Sequence, residues 1–173
     1  MKLLVCAMEA SSNIHLKELK KYLSHDVKLV GVFDKELGNP LYDLTALAIM
    51  GIVDALKKLR FFFKLRDELV DLAKDCDKVL LMDSSGFNLP LAKKLRETYP
   101  NKEIIYYILP QAWAWKKGRV AKLEKYCTKL CSIIPFESEM YSDKNKITYV
   151  GHPLLDEIED FKEELSNTNK IAF

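Results

Sequence analysis

Short apolar runs alternate with amphipathic stretches along the 173 residues of the chain. Residues 3–7 read as a strand, 14–23 as a helix with one apolar face and 27–33 as a second strand, which makes a βαβ unit. The pattern continues with a long helix over 49–73, a strand at 79–82, a helix at 89–98 and a strand at 103–108. After these come a helix at 120–126, a strand at 130–134, a helix at 137–142 and a brief strand at 147–150. Strands separated by helical crossovers must run parallel, so the pattern predicts an α/β fold: a doubly wound, mainly parallel sheet with helices on both faces.

Composition adds limits. Hydrophobic residues make up 49% of the chain, and 27 Lys and Arg against 25 Asp and Glu leave a net charge of +2. This describes a globular core and excludes disordered and collagen-like chains. So small a charge gives no reason to expect a nucleic-acid partner. No run approaches the roughly 18 apolar residues of a membrane-spanning helix. The first apolar run turns acidic at Glu9 and reads as a strand, where a signal peptide needs a longer apolar core. Cys6, Cys76, Cys127 and Cys131 lack the paired spacings of a zinc site and read as free thiols in a reducing compartment. We expect neither metal nor cofactor.

The expected domain covers residues 1–155. Six acidic residues and one Lys between Asp156 and Glu164, followed by Ser166, Asn167, Thr168 and Asn169, read as a linker over 156–169. Residues 170–173 read as the first strand of a second domain that continues beyond this sequence.

In open α/β sheets ligands bind outside the carboxyl ends of the strands, which directs attention to the residues just after each strand. Glu9, Ser11, Ser12 and Asn13 follow the first strand; a Ser or Asn there caps the next helix, or its free N–H groups hold an anion. Asp83 follows the strand at 79–82 and is either a turn-forming residue or a carboxylate able to take a proton from a bound hydroxyl. Gln111, Trp113, Trp115 and Arg119 follow the strand at 103–108. Five basic residues and one acidic between Trp113 and Lys125 suit a phosphorylated or membrane-surface ligand, and the two indoles are stacking platforms or packing anchors. Glu137 and His152 sit after the last two strands, His152 in a Gly-His-Pro turn that is structural or proton-transferring. The G-x-G-x-x-G and P-loop fingerprints are absent.

The helix after residue 49 is both apolar and cationic. Phe61, Phe62 and Phe63 project about 100° apart, so one core cannot cover all three. With Ile52, Val53, Leu56, Lys57, Arg60 and Arg66 they form either a surface for membrane or acyl chains or a core helix with snorkelling cations.

Four pieces of sequence carry a resemblance. Ile49-Met50-Gly51-Ile52-Val53 with its basic helix, Pro110-Gln111-Ala112-Trp113-Ala114-Trp115 running on to Arg119, Pro135-Phe136-Glu137, and Val150-Gly151-His152 together resemble the N-terminal half of the lipid A disaccharide synthases, glycosyltransferases of the GT-B fold. The match runs from Leu3 to about Asp156. The resemblance implies transfer of 2,3-diacylglucosamine from UDP-2,3-diacylglucosamine to the 6-hydroxyl of 2,3-diacylglucosamine 1-phosphate, with inversion. It implies that Asp83 is the base, that Glu9, Ser11 and Ser12 line the cleft, and that Gln111, Trp113, Trp115, Arg119, Glu137 and His152 bind substrate. It further implies a peripheral place on the cytoplasmic face of the inner membrane and is compatible with a homodimer of the full-length protein. The 173 residues alone are expected to be inactive. A lipid-binding, membrane-docking module without chemistry is the alternative.

Overall fold

The structure is a computed structural model that describes residues 1–43, 55–111 and 118–157. Seven strands, β1 (Lys2–Ala7), β2 (Lys28–Phe33), β3 (Tyr42–Asp43), β4 (Lys78–Met82), β5 (Glu103–Tyr107), β6 (Lys129–Ser132) and β7 (Ile147–Tyr149), form one sheet in the order 3-2-1-4-5-6-7. Every pairing is parallel. The chain builds outward from β1 in one direction and then, through β4, in the other. The strand order therefore reverses between β1 and β4, the place where such sheets open a crevice.

The helices among the described residues are α1 (Ala10–Lys21), α2 (Ala55–Ala73), α3 (Ser85–Thr98) and α4 (Gly118–Tyr126). Strand periodicity assigns their faces. Leu4 and Cys6 of β1 join Val79, Leu81, Ile104 and Leu130 in a cluster completed by Leu65 and Leu69 of α2, Leu91 and Leu95 of α3 and Leu123 of α4. The alternate residues Leu3, Val5 and Ala7 join Leu80, Met82 and Leu16 of α1 on the other face. Residues 3–7 are thus all buried, which explains their unbroken apolar run in place of alternation. At Gly31, with φ +121°, an added Cβ would lie 2.2 Å from the Val5 carbonyl oxygen, so the pairing of β1 with β2 requires glycine there.

The doubly wound expectation holds, and several element bounds shift. α1 starts at Ala10, four residues before its apolar periodicity begins, because the polar residues Ser12 and Asn13 turn inward. α3 starts at Ser85, within a stretch where Gly86 and Pro90 weaken the helical pattern, and carries Pro90 in its second turn. The helix expected at 137–142 is a 3₁₀ turn, Pro135–Met140. β3 has two residues, too few to leave a periodic signal. Residues 49–54 of the predicted long helix, the final residues 170–173 and nearly all of the 156–169 linker lie outside the described residues.

Candidate functional site

The register aligns Ala7 with Met82 and Met82 with Tyr107, so the residues following β1, β4 and β5 emerge at one edge of the sheet. Backbone strain concentrates there. Asp83 (φ 47°), Ser84 (φ 39°) and Ile108 (φ 62°) are the non-glycine residues with left-handed backbone among those described. Each such conformation costs on the order of 1–3 kcal/mol and persists only where surrounding structure imposes it. Here the imposing groups are buried and polar. The Tyr106 hydroxyl donates to the Asp83 carbonyl. Asn88 Nδ2 donates to the carbonyls of Met82 at 2.9 Å and Asp83 at 3.0 Å. Tyr106 and Asn88 are both 0% exposed. The Ile108 N–H donates to the Cys131 carbonyl at 3.2 Å.

The bent chain leaves the Asp83 carboxyl half-buried at the edge of the sheet. Burial raises its pKa above the ordinary carboxylate value; the nearby Glu9 charge and a hydrogen bond with Glu9 raise it further, while the Ser84 N–H works against them. Ser84 Oγ donates to Glu9 Oε1 at 2.7 Å, which ties the loop after β1 to the turn after β4. The result is a carboxylate more basic than usual.

Asp83 borders two hollows of different character. One, about 610 Å³, is walled by Met8, Leu59, Phe62, Phe63 and Phe87, with Glu9 and Arg66 at its margin. Its aromatic wall is continuous: Phe61 contacts Phe62 and Phe62 contacts Phe87, each at 5.8 Å between ring centroids. Phe63 is 50% exposed, with the Arg66 guanidinium 5.2 Å from its ring centroid. The second hollow, about 270 Å³, is lined by Asp83, Ile108, Gln111, Arg119, Ile134 and Glu137. Glu137 is buried against the Ser132 hydroxyl, and burial raises its pKa too.

The predicted residues therefore divide. Asp83, Glu9, Phe62, Phe63 and Arg66 meet around the aromatic hollow, while Gln111, Arg119 and Glu137 meet Asp83 around the polar one. Phe61 is partly buried beneath the aromatic wall and meets Tyr42 edge to face; Arg60 is exposed. Ser11 is exposed but lines neither hollow, and Ser12 is fully buried. Neither caps α1. Its first residue follows Glu9, which makes no side-chain cap bond, and Asn13 instead donates to the carbonyls of Ala7 and Glu9 while accepting from Asp34 N–H. His152 is not drawn to Asp83. It lines an apolar groove of about 540 Å³ on the α1 face of the sheet, 5.9 Å from the His15 ring. Ile52, Val53, Trp113 and Trp115 lie outside the described residues, as do the side chains of Leu56 and Lys57.

Sequence reasoning missed Ser84, Asn88, Tyr106 and Ser132. Two of them carried a usable signal. Tyr106 falls in phase with Ile104 on a buried strand face, and Asn88 falls on the buried face of α3; a polar atom in either place needs a partner. No group of three or more His, Cys, Asp or Glu side chains that could hold a metal stands together among the described residues. No described helix is long and apolar enough to cross a membrane.

The profile of the family described as lipid-A-disaccharide synthetase matches residues 3–172. A lipid-A-disaccharide synthase of Helicobacter pylori strain HPAG1 is 53% identical over 169 residues, covering 98% of this chain and 46% of that protein. The Helicobacter acinonychis protein of the same name is 50% identical over 169 residues with the same coverage. That of Campylobacter jejuni is 42% identical over 179 residues, covering 95% of this chain and 48% of the relative. The chain thus spans about half the length of the curated relatives it matches. With a parallel sheet that opens its crevice at Asp83 and a match along nearly its whole length, the chain belongs to the lipid-A-disaccharide synthetase family.

Proposed function

We propose that this chain forms the acceptor side of a glycosyltransferase that joins two acylated glucosamines, with Asp83 as the base. The carrying observation is the position of Asp83, a carboxyl of raised pKa at the boundary between an aromatic hollow and a polar one. A diacylated sugar phosphate has the same division: acyl chains for the aromatic wall around Phe62 and Phe63, a polar head for Gln111, Arg119 and Glu137.

In the reaction, Asp83 takes the proton of the acceptor 6-hydroxyl as O6 attacks the anomeric carbon of the UDP-linked sugar. The C1–O6 bond forms on the face opposite the departing UDP, which leaves with the bonding electrons, so the anomeric centre inverts. A primary hydroxyl is a poor nucleophile, and a base whose pKa is raised toward the working pH takes the hydroxyl proton more effectively. Groups that stabilise the departing UDP belong to the part of the protein beyond this chain, consistent with relatives of about twice its length. Exposed Phe63 and Leu59, together with the cations of α2, suit a place at an anionic membrane surface where acylated substrates reside.

The test is disaccharide synthesis from UDP-2,3-diacylglucosamine and 2,3-diacylglucosamine 1-phosphate by the protein at full length, with and without Asp83→Asn. Loss of roughly 10²–10⁴-fold in kcat is expected for removal of a well-placed base. Unchanged turnover by a folded variant refutes the role of Asp83, and a wild type without synthesis favours a module that only docks lipid.

A further inference from the structure

Tyr106 and Asn88 occupy positions that burial alone would fill with apolar side chains. Tyr106 alternates with Ile104 on the inner face of β5, and Asn88 shares the buried face of α3 with Leu91, Ala92 and Leu95. Asn88 Oδ1 is buried with no hydrogen-bond partner among the described residues, so this amide is placed for its donors at the expense of its acceptor.

Those donors hold both peptide planes that flank Asp83. An amide nitrogen carries two protons. Asn88 Nδ2 directs them to the carbonyls of Met82 at 2.9 Å and Asp83 at 3.0 Å, while the Cys6 carbonyl lies farther off at 3.5 Å. The Tyr106 hydroxyl gives its one proton to the other lone pair of the Asp83 carbonyl, and burial raises its pKa, so it stays a donor. Because a peptide group is planar, fixing these two carbonyls fixes φ and ψ of Asp83, and with them the direction in which Cβ leaves the chain. The second plane also carries the Ser84 N–H, which hydrogen-bonds the Asp83 carboxyl. The carboxyl is thus set through the backbone that bears it and through the N–H it accepts.

We propose that Tyr106 and Asn88 are positioning residues of the transferase reaction, which hold the Asp83 carboxyl in line with the acceptor hydroxyl by fixing its backbone. Neither residue lines either hollow beside Asp83, so both act without touching substrate. Their polar groups maintain a left-handed Asp83 that the chain itself disfavours, and strain of this kind is kept where it serves a site. The inference rests on the glycosyltransferase reading with Asp83 as base and deepens it.

The experiment is disaccharide synthesis by the full-length protein carrying Tyr106→Phe or Asn88→Ala, each also combined with Asp83→Asn, at a temperature where circular dichroism shows the variants folded. Tyr106→Phe keeps the ring and removes only the hydroxyl; should Asn88→Ala not fold, Tyr106→Phe decides alone. Each single variant is expected to lower kcat roughly 10- to 100-fold, as for a reacting group displaced by about 1 Å, with KM for both acylated sugars little changed. In the Asp83→Asn background the same substitution should cost little more, because residues that act through one group are not additive. The pH profile gives a second readout. Glu9, Arg66, Arg119 and Glu137 also line the hollows that Asp83 borders and stay in place, whereas loosening the Ser84 N–H removes a bond that lowers the Asp83 pKa; the acid limb of kcat/KM in Tyr106→Phe therefore moves to higher pH. A merely structural role lowers stability and leaves kcat and the limb where they were. Wild-type kcat in Tyr106→Phe, a loss confined to KM, a loss of equal size with and without the Asp83 carboxylate, or an unmoved limb each overturns the inference and leaves a synthase that depends on Asp83. No synthesis by the wild type, or full synthesis by Asp83→Asn alone, instead refutes the reading on which the inference rests.

Discussion

If the turn at Asp83 and Ser84 is held against its own preference, removing the holder and relieving the strain must have opposite signs. Asn88→Ala removes the holder. It deletes the donors to Met82 O at 2.9 Å and Asp83 O at 3.0 Å, at a site with no exposure. Asp83 O keeps the Tyr106 hydroxyl, so its loss is the net worth of one hydrogen bond, about 1 kcal/mol. Met82 O loses its side-chain donor at a buried site, which costs roughly 1–3 kcal/mol. The sum is about 2–4 kcal/mol, with a fall in Tm of about 4–16 °C at the roughly 2–4 °C per kcal/mol of domains this size. Ser84→Gly relieves the strain. Its φ of 39° suits glycine, and the bond it loses, to exposed Glu9, contributes little. We expect it to stabilise the fold by about 1 kcal/mol. Urea denaturation followed by far-ultraviolet circular dichroism gives both values. Asn88→Ala within about 0.5 kcal/mol of the wild type, or Ser84→Gly clearly destabilising, refutes the account of a clamped, strained turn.

The remaining predictions concern charge and surface. A folded-state pKa raised above the unfolded value makes the Asp83 carboxyl favour folding at low pH and lose that contribution as pH rises through the raised value, so Asp83→Asn is expected to stabilise the fold at pH 7 while lowering kcat roughly 10²–10⁴-fold; a destabilised variant contradicts this. Glu9→Gln removes a like charge and should shift the acid limb of the kcat/KM profile to lower pH, whereas an unmoved limb leaves burial as the whole cause of the Asp83 shift. Phe63→Ser should weaken binding to vesicles of anionic lipid with a stability change within about 0.5 kcal/mol, since the ring is half exposed. Undiminished vesicle binding places the membrane contact elsewhere.

The sequence by itself determined the architecture. Parallel strands buried on both faces must be continuous apolar runs, and helices that cover them must be amphipathic, so the alternation along residues 3–150 already specified a doubly wound sheet with Asp83 at a strand end. The same reasoning brought Gln111, Arg119 and Glu137 into view, because each follows a strand. Tertiary structure decided which strand ends share a site. Asp83 meets Glu9 through the alignment of β1 with β4, whereas His152, also after a strand, falls on the α1 face, because the chain after β7 turns to pack against α1. It also decided the state of the acids. The raised pKa of Asp83 comes from burial and from a carboxylate 74 positions away in sequence, and that of Glu137 comes from burial. Hydrophobic periodicity records which face of an element is covered. Left-handed turns, and the buried donors that hold them, depend on contacts between distant segments and leave no periodic trace.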